Sequence, residues 1–166
     1  MFNWLKRHRE TAMIKKLASK FISPELLSRA TQELPINQLE SGLVDYVFVA
    51  VTAASPNATG EKLGIVVELA QSSNWTVQDF LCNLVLLVRG TIPGRGKRGP
   101  SGRELADQLT KTLGTDVKSV YGEERAHFGT MGSQSRMTYG VLFPSFVEIM
   151  SKLMQIPFGS SHENRA

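Results

Sequence analysis

Cysteine, histidine and long apolar runs are all scarce in this chain, and each scarcity removes a class of function. Its only cysteine, Cys82, excludes an intramolecular disulfide and any metal site built on several thiolates. The three histidines, His8, His127 and His162, are scattered and suggest no metal set. Ser133 has a neighbouring glycine but no evident His–carboxylate pair, so a hydrolase triad is not indicated. No apolar run approaches the roughly 20 residues of a membrane-spanning helix. The N-terminus lacks the apolar core of a signal peptide, because charges begin at Lys6 and recur. These features read as a soluble, cytoplasmic protein.

What is present fits one globular domain with an appended helical arm. Of 166 residues, 42% are apolar and 20% charged, which is enough to bury a core without disulfides or metals. The net charge of +4 is unevenly spread. Lys6, Arg7, Arg9, Lys15, Lys16 and Lys20 crowd the first 20 residues, and Arg89, Arg95, Lys97, Arg98 and Arg103 form a second cluster. Neither is dense enough to specify a nucleic-acid partner.

Residues 1–33 read as an N-terminal helical arm. Trp4, Leu5, Met13, Ile14, Leu17 and Phe21 can share one side, opposite the basic residues. Phe2, Trp4 and Leu5 beside Lys and Arg would suit contact with a membrane surface. Packing on the chain's own domain or on a partner subunit suits the same pattern and is the preferred reading. Ser23 and Pro24 mark a helix start, as N-cap and first helical residue.

The core, residues 43–157, alternates β- and α-type patterns. Residues 43–54 are a central strand by composition, Ser55–Gly60 a loop, and Glu61–Gln71 a helix bearing Leu63, Val66, Val67 and Ala70. Residues 75–89 read as two strands around a tight turn with Cys82 and Asn83 at its tip, asparagine being tolerant of positive φ, or as one long strand; the family resemblance described below implies the hairpin. Five glycines and two prolines make Gly90–Gly102 a loop. Gly94-x-Gly96-x-x-Gly99 matches a dinucleotide fingerprint, but the helix starts only near Ser101, after the pattern has ended. Ser101 and Glu104 form a capping box for that helix, which runs through Gly114. A strand around Val117–Tyr121 then meets a turn at Gly122–Glu124.

From Gly129 to Leu153 the pattern is a tight turn at Gly129 and Gly132, a strand Met137–Phe143, and a helix carrying Phe146, Ile149, Met150 and Leu153. Residues 158–166 are expected to be a flexible tail.

Gly129, Gly132, Ser133, Arg136 and Tyr139, spelling Gly-x-x-Gly-Ser-x-x-Arg-x-x-Tyr, resemble the class III adenylate/guanylate (nucleotidyl) cyclase homology domain. Phe21-Ile22-Ser23-Pro24 resembles the helix entry that precedes many such domains. The resemblance implies an α+β, ferredoxin-like sheet with helices packed on one face, after the N-terminal arm. It also implies where the chemistry would sit. Two metal-binding aspartates would fall at Ala50 and Asn83, and Asp45 lies several residues too early to replace the first. The purine-selecting Lys and Asp fall at Asp79 and Gly140, and the transition-state Asn and Arg at Val147 and Ser151.

In that family the site forms between two subunits, each supplying a different half. A chain lacking both halves would be a degenerate domain, without metal or cofactor, serving as a dimerisation or protein-interaction (regulatory) module. An alternative is a nucleotide or cyclic-nucleotide sensor using the inter-subunit cleft, with Arg95, Lys97 and Arg98 contacting an anion. An active cyclase with non-standard metal ligands is the remote alternative.

Overall fold

The computed structural model describes residues 39–91, 97–133 and 136–164, with side chains described outside 130–139. The N-terminal arm, its membrane-contact reading and Arg95 lie outside these residues.

The element order is β1 (Leu39–Val51), α1 (Pro56–Ser72), β2 (Thr76–Leu81), β3 (Leu84–Arg89), α2 (Gly102–Leu113), β4 (Val117–Ser133), β5 (Arg136–Leu142), α3 (Phe146–Gln155) and β6 (Ser161–Asn164). The sheet order is β2-β3-β1-β4-β5, with β6 beside β4. All pairings are antiparallel except β4–β6, which is parallel. The first four strands with α1 and α2 thus form the ferredoxin-like β-α-β-β-α-β unit.

β1 is covered on both faces, which explains why its sequence is a nearly continuous apolar run. Val47, Val49 and Val51 point toward α1 and α2, meeting Val66, Ala70, Leu105 and Leu109. Val44, Tyr46, Phe48 and Ala50 point the opposite way, toward Ile149 and Leu153 of α3. The expected packing on one face therefore holds for α1 and α2, while α3 covers the other.

Local chemistry accounts for the element ends. Ser55 caps α1, with Pro56 at its first position, so this helix begins five residues before the expected Glu61. Ser101 and Glu104 complete the reciprocal capping box of α2, and Gly114 ends it at φ 59°.

Several expectations need correction. β1 starts at Leu39, four residues before the strand expected from residue 43. No turn occurs at Gly122–Glu124, because β4 continues as a partner for the whole of β1. Gly129 and Gly132 are not the turn either. They are paired in the β4–β5 ladder with Gly140 and Met137, and the strands reverse after Ser133. The tail is tied down by β6, which pairs with Ser119–Gly122.

At the β2–β3 tip the residue with positive φ is Cys82, at 56°, rather than Asn83. A side chain in that conformation costs on the order of 1 kcal/mol. Cys82→Gly should therefore raise stability by about 0.5–1 kcal/mol, read as a shifted urea midpoint at constant m value.

Candidate functional site

Ala50 and Asn83 are brought together at the end of β1. Ala50 pairs with Leu84, and the Val51 amide donates to the Asn83 carbonyl at 3.0 Å. The Asn83 amide nitrogen donates to the Val51 carbonyl at 2.7 Å, so this side chain closes the hairpin onto β1. Asp45, five residues back along β1, is about 17 Å away at the strand rise per residue.

Directly across β1 from Ala50, on the same sheet face, stands Lys118. Its Nζ donates to the carbonyls of Met154 and Ile156 at 3.4 and 3.3 Å, and lies 4.8 Å from the Phe158 ring centre. A cation here favours the negative end of α3. These residues do not fit a pair of divalent metals. Such ions need several oxygen ligands, whereas Ala50 has none, Asn83 brings no charge, and Lys118 would repel a cation. Among the described residues no group of three or more His, Cys, Asp or Glu could hold a metal.

Beside this point lies an open groove between the hairpin and α3. Phe48, Leu81, Leu84, Leu86, Phe146 and Met150 supply its apolar lining, and Asp79 its charge. The Asp79 carboxylate accepts a hydrogen bond from the Phe80 amide at 2.8 Å. Val147 is 79% exposed, and Ser151 is also exposed, one turn further along α3. Gly140 lies at the far end of the sheet, paired with Gly129. Of the positions implied by the resemblance, only Asp79 lines this apolar groove. Of the motif residues, Gly129, Gly132, Ser133, Arg136 and Tyr139 all belong to the β4–β5 ladder.

A second cluster, on the α1/α2 face, captures much of the central basic segment. Asp45 is 7% exposed and receives Arg89 Nε at 3.0 Å, Arg89 Nη2 at 2.6 Å and Lys97 Nζ at 2.6 Å. Lys97 also bonds Glu123, across β1 from Asp45. Arg89 Nη1 donates to the carbonyls of Gly99 and Pro100 at 3.0 and 2.7 Å, and its guanidinium lies 4.8 Å from the Trp75 ring centre. Burial pushes the Asp45 carboxyl up, but hydrogen bonds from Lys97 and Arg89 outweigh it and hold the group below 3.8. Lys97 is held above 10.5, because its two carboxylate partners outweigh its partial burial. Lys97, expected as an anion contact, is therefore spent on pinning its loop to the sheet. Arg98 remains exposed.

Sequence reasoning missed Lys118 and the Asp45–Arg89–Glu123 set. Their only signal is register across three strands that are not consecutive in the chain.

No protein-family model matches the chain, and no curated protein matches it significantly. Solved structures do. The adenylyl cyclase CyaB from P. aeruginosa superposes with a TM-score of 0.64 at 13% identity, covering 75% of this chain and 77% of that one. A bacterial light-regulated adenylyl cyclase reaches a TM-score of 0.70 at 12% identity, covering 96% of this chain, which spans only 54% of that protein. The non-canonical dimeric guanylyl cyclase domain of a RhoGC fusion protein from the aquatic fungus Blastocladiella emersonii gives 0.60 at 9% identity, covering 75% and 80%. The chain has the α+β fold of the class III adenylyl/guanylyl cyclase domain.

Proposed function

We propose that the chain is a catalytically silent nucleotidyl-cyclase-like domain that serves as a dimerisation or protein-interaction module in regulation. The observation that carries this reading is the pair Ala50 and Asn83, adjacent at the end of β1, with Lys118 across the strand. Phosphoryl transfer from a triphosphate needs the accumulating charge neutralised, by metal ions or fixed cations. This end of the sheet has lost the carboxylates that would hold metals. On α3, Val147 and Ser151 offer no cation to replace them.

Incubation with each of four nucleoside triphosphates and Mg²⁺ or Mn²⁺ should yield no cyclic product. Detection of one by chromatography would restore the reading of an active cyclase with non-standard ligands. Restoring both acids should not rescue activity. In Ala50→Asp/Asn83→Asp, the carboxylate introduced on β1 would face Lys118 across one strand spacing and form an ion pair with it. The double variant is expected to remain without product, and turnover in it would show that Lys118 does not obstruct the site.

The nucleotide-sensor reading has weaker support. The charged residue lining the groove is an aspartate, which disfavours phosphate, and Lys97 is already committed.

A further inference from the structure

The sheet face that carries α3 is buried at a place where no described helix lies over it. On this face α3 packs on β1 and β4, and β2 and β3 lie beside it. By register with Ala50, Phe48 and Tyr46, β2 and β3 present Leu81, Leu84, Leu86, Val88 and Thr76 there. Side chains stand roughly perpendicular to a sheet, so ladder neighbours shield their flanks and leave their tips to solvent. Leu81 behaves that way, at 61% exposed, and Leu84 and Leu86 line the open groove. Val88, at 0%, and Thr76, at 7%, do not.

We propose that the chain's own N-terminal arm covers this place: residues 24–33 lie across β2 and β3 over Val88 and Thr76, and the basic stretch before them leads toward the groove. The inference goes beyond the reading of a silent domain and does not depend on it.

Three observations favour the arm as occupant. The other segments outside the described residues belong elsewhere. Residues 92–96 are fastened at Lys97 to Asp45 on the α1/α2 face, whereas 134–135 join β4 to β5 and 165–166 follow β6, on the other side of β1. The arm is also long enough. β1 begins at Leu39, and Tyr46, the partner of Val88, lies seven residues further on, so a covering segment must return about 23 Å along the strand. Residues 34–38 span about 17 Å when extended, and a helix over residues 24–33 adds about 15 Å. Finally, the composition fits. Leu26, Leu27 and Ala30 recur at helical spacing and suit an apolar floor, while Lys15, Lys16 and Lys20 precede them toward a groove whose lining charge is Asp79.

Cys82, exposed at the hairpin tip and the only cysteine, carries the probe that tests this. A nitroxide attached there on the full chain should broaden the amide NMR signals of the arm, and should do so within one molecule. Arm signals that keep their full intensity overturn the inference. So does broadening that requires mixing a spin-labelled chain with an isotope-labelled Cys82→Ser chain, since the arm on this face would then be a second copy's. In Leu26→Glu/Leu27→Glu the broadening should fade, and the amides of β2 should exchange hydrogen at least about tenfold faster while the α1/α2 face keeps its protection. Exchange in β2 equal to wild type would assign the cover of Val88 and Thr76 to another segment and overturn the inference too. The nitroxide measurement needs no substitution in the arm, so it decides alone if the double variant fails to fold. Turnover in the triphosphate assay would sink the silent-domain reading and leave this one standing.

Discussion

Asp45→Ala should destabilise the domain by about 3 kcal/mol, in the range found when one partner of a buried ion pair is removed. The carboxylate is the single acceptor for Arg89 Nε, Arg89 Nη2 and one Lys97 bond, and it is nearly buried at the centre of the sheet. Arg89 bears most of the loss, because its side chain is only 10% exposed, whereas Lys97 at 31% can regain water. Its remaining bonds to the Gly99 and Pro100 carbonyls would then have to hold an uncompensated cation in place. Those same bonds position the N-terminus of α2, so the base of the loop should loosen with it. Urea denaturation followed by the fluorescence of Trp75, which lies against Arg89, measures the loss. The double variant Asp45→Ala/Arg89→Leu should recover part of it, since it leaves no lone buried charge. A single variant within about 0.5 kcal/mol of wild type would show that the cluster contributes nothing net.

The same cluster sets a pH dependence. The folded carboxyl of Asp45 titrates below its ordinary 3.8, so its contribution is present above that pH and is lost as pH falls below it. Lys97 is raised above 10.5, so its contribution is complete below that pH and is lost as pH climbs past it. Between these limits the cluster contributes a constant amount. In Asp45→Asn the acid-side loss below about pH 3.8 should shrink, which unfolding curves at a series of pH values would show.

Much of the fold was legible because local chemistry decides it. The run around Tyr46–Val51 was readable as a central strand, though not as one covered on both faces, and the Ser101–Glu104 capping box marks the start of α2. Errors came where one residue type serves two physical ends. Gly122 looks like punctuation, yet it sits in mid-strand because Tyr46 leaves no room for a Cβ. The stretch Ser161-His162-Glu163-Asn164 has no apolar period, and it becomes a strand through backbone pairing with β4, which composition does not encode. That Ala50 and Asn83 carry no carboxylate was legible as letters, wherever they lie. The spent state of Lys97 was not, because Asp45 and Glu123 lie far from it in sequence and meet it only through the register of β1 with β4. The outward apolar arc of α3 was half legible. Phe146, Ile149, Met150 and Leu153 carry helical spacing, but only the exposure of Val147 and Met154 shows that the stripe is wider than its core.

Gly122→Val should be the most damaging substitution, costing about 3–4 kcal/mol through overpacking together with a lost buried hydrogen bond. A Cβ at this position would lie 2.7 Å from the Tyr46 hydroxyl and 2.8 Å from the Asn164 carbonyl oxygen. Tyr46 has little freedom to retreat, being 1% exposed and edge-on to Phe48 and Phe143 at 5.8 and 5.2 Å. β6 must therefore move. As it lifts, the Asn164 side chain gives up its 2.8 Å bond to the Tyr46 hydroxyl and its contact with Lys152 on α3. The Ser119 amide, which donates to the Ser160 carbonyl at 3.1 Å, loses its partner as well. Hydrogen exchange should show this amide and those of β6 exchanging far faster in the variant, while the α1/α2 face keeps its protection. Retained β6 protection in Gly122→Val would mean that the close packing of Tyr46, Gly122 and Asn164 does not hold the C-terminal strand in place.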